Sequence, residues 1–230
     1  MKKILGIISC VIMSLFLFSN VAFANTNKVI LIDPGHGGVD GGAVAKNGIL
    51  EKDINLQMGL ILKQKLENDG YKVFMTRETD TGLYTEGKTI KEKKREDLAN
   101  RVKMKRSTGA EVFISIHQNM FPESKYSGTQ VWYSPNSKDS RELANTIQKA
   151  AKEKLRQKTK REAKDANTQF RVLRSSPNAA AVIVECGFLS NPEECEMLIS
   201  KDYQEKFAQI IKESVDEYYA YKAKNIEVKK

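Results

Sequence analysis

Alternation along the chain constrains its fold more than any other feature. Short β-branched runs stand at VILID (29–33), YKVFMT (71–76), EVFISIH (111–117), TQVWYS (129–134) and AAVIVECGF (180–188). Most are separated by longer stretches of helical period. In the first of these, Ile54, Met58, Ile61, Leu62 and Leu66 recur at three- and four-residue steps, and Gly70 stands where a helix ends. Others fall near 94–107, 138–156 and 200–222. Strands alternating with helices predict an α/β fold: a single domain with a twisted, mostly parallel sheet of about six strands, flanked by helices on both faces.

Ligands of such sheets bind outside the carboxyl ends of the strands. The chain has only two histidines, and both fall at that edge. His36 follows the first strand in VILIDPGHGGVDGGAV, a loop holding five of the 14 glycines, and His117 closes the third strand. Imidazole is the commonest metal ligand, and a catalytic zinc takes three protein ligands with one position open. With two histidines the third ligand should be a carboxylate. Glu51, opening the first helix in GILEKDINL, is the candidate. A carboxylate in a first helical turn is also favoured by the helix dipole, by ~0.3–1 kcal/mol, so the position alone does not decide.

Glu185 interrupts the apolar run AAAVIVECGF. A carboxylate there is desolvated, paired, or at the strand end beside a site, and burial raises its pKa towards the range of a general base. An ion pair with a nearby arginine would explain it as well. No G-x-G-x-x-G, Gly-Lys-Ser/Thr or G-x-S-x-G pattern is present, which argues against nucleotide phosphate loops and serine-hydrolase elbows. Cys186 and Cys195 lack the close spacing of a structural zinc site, and either a disulfide or two buried thiols fits them.

The N-terminus, MKKILGIISCVIMSLFLFSNVAFA, has the layout of a signal peptide, with two lysines, an apolar run and small residues flanking Phe23. Cleavage after Ala24 and export are expected, giving residues 1–24 as signal and 25–230 as one domain with its own core. A lipoprotein-type cut at Cys10 would leave too short an apolar region. An uncleaved anchor, the one route to a membrane, would have 15 apolar residues against the ~20 that span a bilayer. Cleavage lowers the net charge from +9 to +7, which suits an anionic partner. The Lys- and Arg-rich stretches 88–106 and 149–164 read as solvated helix faces.

DPGHGG around His36, LEKD around Glu51, ISIH at His117 and VECGFLSNPEE around Glu185 resemble, in order, the zinc-dependent N-acetylmuramoyl-L-alanine amidases of bacterial cell walls, over about Val29 to Tyr219. The resemblance implies one Zn²⁺ held by His36, Glu51 and His117, with Glu185 as the catalytic carboxylate. It implies hydrolysis of the amide between N-acetylmuramic acid and the L-alanine of the stem peptide, with the peptidoglycan glycan strand and stem peptide as partners and no nucleic acid. The long segment 76–102 is similar to the germination-specific, spore-cortex branch, whose action precedes muramic δ-lactam formation, and this places the protein in the cell wall or cortex space. A non-catalytic wall-binding or scaffold protein and a zinc peptidase acting within the stem peptide are the competing readings. Gln118 and Met120 stand where many members have alanine and are expected to narrow the cleft or alter metal access.

Overall fold

The computed structural model describes residues 27–174 and 178–227, so the expected signal segment lies outside the described residues. Six strands, β1 (Val29–Pro34), β2 (Lys72–Met75), β3 (Val112–Asn119), β4 (Gln130–Tyr133), β5 (Lys164–Asp165) and β6 (Ala180–Phe188), form one sheet in the order β2-β1-β3-β6-β4-β5. The helices are α1 (Glu51–Asn68), α2 (Ile90–Ser107), α3 (Lys138–Lys154), α4 (Pro192–Ile199) and α5 (Lys201–Glu227).

Every strand pairing but one is parallel. The exception, β4 against β6, follows from chain length: only residues 120–129 connect β3 to β4, too few for the crossover that parallel strands need, so β4 runs back the other way. β5 is two residues long inside a Lys-rich stretch. Backbone pairing with Trp132 and Tyr133 makes it a strand, without any apolar pattern.

Side-chain alternation splits the core. Ile30, Ile32, Ile114, Ile116, Val182 and Val184 face α1, α3 and α5, and Phe207, Ile211, Val215 and Tyr218 of α5 fill that layer. Leu31, Phe113, Ala181 and Ile183 face the other way, towards α2 and a short 3-10 turn at Arg171–Leu173. α2 is tethered unusually. Its buried residues are Arg101 and Lys105, so charge and hydrogen bonding rather than an apolar stripe hold it down. It begins at Ile90, four residues earlier than its apolar period suggests, because Thr89 and Glu92 form a reciprocal capping box. The expectation of a solvated face holds for most of its lysines but fails at these two positions.

Candidate active site

The carboxyl ends of β1, β3 and β6 lie side by side, and everything expected of the site gathers there. His36 sits just beyond β1 in the left-handed region, at φ 63°. Gly35 is required by its neighbour, since a Cβ at this position would lie 2.2 Å from Cε1 of His117. Gly42 is required in the same way, as a Cβ there would lie 2.6 Å from Oε2 of Glu51 and 2.7 Å from the His36 ring. The glycines therefore clear space for side chains that converge. Gly35→Ala should leave the sheet folded, displace the His117 ring, and weaken metal binding by roughly 10–100-fold, the usual cost of disturbing a ligand's support. Unchanged affinity in a metal titration would refute the packing argument.

Glu51 is the first residue of α1 and is 3% exposed. Its Oε2 accepts from the Ala43 backbone at 2.9 Å and lies 3.1 Å from Nε2 of His36. Its Oε1 lies 2.9 Å from Nδ1 of His117 and accepts from the Gln118 backbone at 3.0 Å and from Nδ2 of Asn55 at 3.3 Å. Burial opposes ionisation, but hydrogen bonding to His117 and His36, together with their charge, holds this carboxyl well below the usual carboxylate range. Nδ1 of His36 is 2.9 Å from Asp40. Burial disfavours the charged imidazole, yet Asp40 and Glu51 raise it to about 9. One ligand atom each from His36, Glu51 and His117 lie within 4.8 Å of one another, a grouping that can hold a metal ion.

Glu185 is the direct neighbour of His117 across the β3–β6 pairing. Both side chains leave the sheet on the α2 face, opposite Gln118 and Cys186. Oε2 of Glu185 is sealed from solvent and has no hydrogen-bond partner, and among the described residues no lysine or arginine pairs with Glu185. The ion-pair explanation therefore fails. Burial raises its pKa to about 7, with His117 and His36 pulling the other way and Glu51 adding to the rise.

Four further residues hold the site and went unnoticed in the sequence. Asp40 orients His36. Asp33, at the end of β1, is buried and accepts from Thr76 and Ser115 at 2.7 Å each and from Arg101 at 2.5 Å. Arg101 also donates to the carbonyls of Pro34 at 2.9 Å and His36 at 2.6 Å. Arg77 donates to Pro34 and Gly35 at 3.0 Å each. The two arginines thus satisfy the carbonyls of Pro34, Gly35 and His36 in the loop that carries His36. Asp33 carries the signal that singled out Glu185, an acid in an apolar strand. Arg101→Lys keeps a cation but loses the fork, and should destabilise by ~1–3 kcal/mol, seen as a melting temperature several degrees lower. Unchanged melting would show that the network does not hold the loop.

Gln118 does not narrow the cleft. Its side chain is on the other face of the sheet, donating to Asn55 at 3.1 Å, and so supports the helix that carries Glu51. Cys186 and Cys195 are both free and buried.

A sheet edge where two imidazoles and a carboxylate converge beside an unpartnered buried acid is the layout of a hydrolytic enzyme. Residues 30–217 match the family profile described as N-acetylmuramoyl-L-alanine amidase, and the chain belongs to that family. It is 38% identical over 198 residues to the germination-specific N-acetylmuramoyl-L-alanine amidase of Bacillus subtilis, covering 86% of this chain and 82% of that one. Among solved structures it is similar to the CwlD amidase of Clostridioides difficile, in complex with the GerS lipoprotein, at 40% identity and a TM-score of 0.81, over 85% of this chain and 100% of that one. The catalytic domain of CwlV from Bacillus (Paenibacillus) polymyxa superposes with a TM-score of 0.71 at 33% identity, over 84% of this chain and 98% of the other.

Proposed function

We propose that this protein hydrolyses the amide joining the lactyl group of N-acetylmuramic acid to L-alanine, using one zinc ion held by His36, Glu51 and His117 and Glu185 as the general base. The observation that carries the reading is the juxtaposition of that three-residue cluster with the unpartnered carboxylate oxygen of Glu185. Two imidazoles and one carboxylate are a donor set typical of catalytic zinc. Zinc bound there supplies Lewis acidity, polarising the scissile carbonyl and making water acidic near pH 7. Glu185 takes the proton of the attacking water and passes it to the departing alanine nitrogen, a role that suits a carboxylate with a pKa raised to about 7. Asp40 fixes the orientation of His36, and Arg77 and Arg101 keep the loop backbone from relaxing away. Activity should vanish on chelation and return on adding zinc. Full activity in the chelated protein would refute the metal assignment.

The place of action in this proposal is the cell wall or spore cortex, where the germination-specific relative's name points. Export follows from the signal-like N-terminus, so mature protein from the native host should begin at Asn25 in mass spectrometry. An intact Met1, or a lipid on Cys10, would reject that. Among the described residues no helix is long and apolar enough to cross a membrane. Because the CwlD relative is solved with a lipoprotein bound, the proposal includes an accessory protein for this chain, to be sought by co-purification.

A further inference from the structure

A slot of about 290 Å³ opens at His36 and His117, between α2 and the turn at residues 169–172. One wall is apolar, formed by Leu98, Phe170, Val172 and Ile183, with Phe170 braced by Trp132 at a ring distance of 5.5 Å, and the buried Asp33–Arg101 pair lines it as well. Its rim carries two cations. Lys94 is neutralised by Asp40 at 2.7 Å. Arg171 is exposed and, among the described residues, has no carboxylate partner; its guanidinium makes only a long 3.5 Å hydrogen bond to the Arg95 carbonyl.

The two sides of the amide proposed for cleavage differ in charge. The glycan side consists of neutral N-acetylated sugars, which offer a guanidinium nothing ionic. The peptide side starts with the small methyl of L-alanine and then presents a free carboxylate on its second residue, which is joined onward through its side chain. An extended peptide advances at most ~3.3–3.6 Å per residue, placing that carboxylate about 7 Å from the scissile nitrogen. Arg171 borders the same cavity as His36 and His117.

We propose that the slot is the stem-peptide subsite and that Arg171 determines its specificity by reading the free carboxylate of the second stem residue. This rests on the amidase reading above. The apolar lining takes the alanine methyl and excludes water, and Arg171 supplies a planar fork suited to bidentate carboxylate binding. Stems whose second residue is amidated present a carboxamide there and leave the guanidinium without its counter-charge. A charge-assisted hydrogen bond of this kind corresponds to a discrimination of roughly 10- to 100-fold.

The test uses the zinc-loaded full chain and two muramyl tripeptides that differ only in a carboxylate or carboxamide at that position. The parent should favour the carboxylate substrate in kcat/KM by that factor, mainly through KM. In Arg171→Gln the ratio should fall towards one, and Arg171→Lys should keep part of it. A ratio unchanged in Arg171→Gln overturns the proposal, whether overall activity falls or not. If the parent cuts neither compound at the muramyl–alanine bond, the amidase reading fails separately. Calorimetric binding of the two free tripeptides then decides the subsite: a carboxylate preference lost in Arg171→Gln supports it, and equal binding in parent and variant overturns it.

Discussion

Glu185→Gln should retain fold and metal while losing ~10²–10⁴-fold in turnover, the contribution of a positioned general base. Glutamine preserves shape and hydrogen-bonding capacity at the neighbour of His117 but accepts no proton from water. The parent's acidic limb in kcat/KM should lie at or below pH 7, because the base works ionised and a bound cation favours the ionised form. The substitution also has a stability signature. An acid whose folded pKa, about 7, lies above its ordinary 4.5 costs the fold nothing below 4.5, costs more as pH rises between the two values, and costs its full amount above 7. Metal-free Glu185→Gln should therefore melt above the parent at pH 8 and level with it at pH 4.5. Loss of metal together with activity would make Glu185 a ligand instead. Near-normal turnover with zinc retained would remove it from the mechanism.

The second large effect is expected at His117. The residue follows the fully buried run Val112–Ile116 of β3, in which Val112, Ile114 and Ile116 anchor the strand, and its own ring is partly exposed above Gly35. His117→Ala therefore removes a proposed ligand and no core contact. It should fold, lose zinc, and lose activity with the metal. Without its imidazole, Glu51 keeps the Ala43 and Gln118 backbone donors, so the carboxylate stays in place but lacks a second nitrogen donor to complete the set. Zinc binding as tight as in the parent would show that His117 is no ligand.

The convergence at this edge was legible because its signals are rare in the chain. The chain's two histidines both stand at strand ends, Glu185 interrupts a nine-residue strand that is otherwise apolar, and strand-to-helix alternation places the strand ends together. The supporting residues were harder to see for a physical reason. Hydrophobic periodicity registers apolar burial only, whereas α2 is fastened by Arg101 to Asp33 and to loop carbonyls. β5 escaped for the same reason, its two polar residues being ordered by pairing with Trp132 and Tyr133. α4 was missed ahead of α5 even though Asn191 caps it and Pro192 opens it, a start signal readable in the sequence. The direction of Gln118 follows from the twofold alternation about His117, which sends adjacent side chains to opposite faces.

The most direct test of the account is to identify the bond cut. Purified peptidoglycan treated with the zinc-loaded protein and separated for mass analysis should yield intact stem peptides with a new L-alanine amino terminus, alongside glycan strands whose muramic acids carry a free lactyl carboxylate in equal amount. Stems shortened within the peptide, with L-alanine still attached to muramic acid, would contradict it and make the protein a peptidase on the same fold.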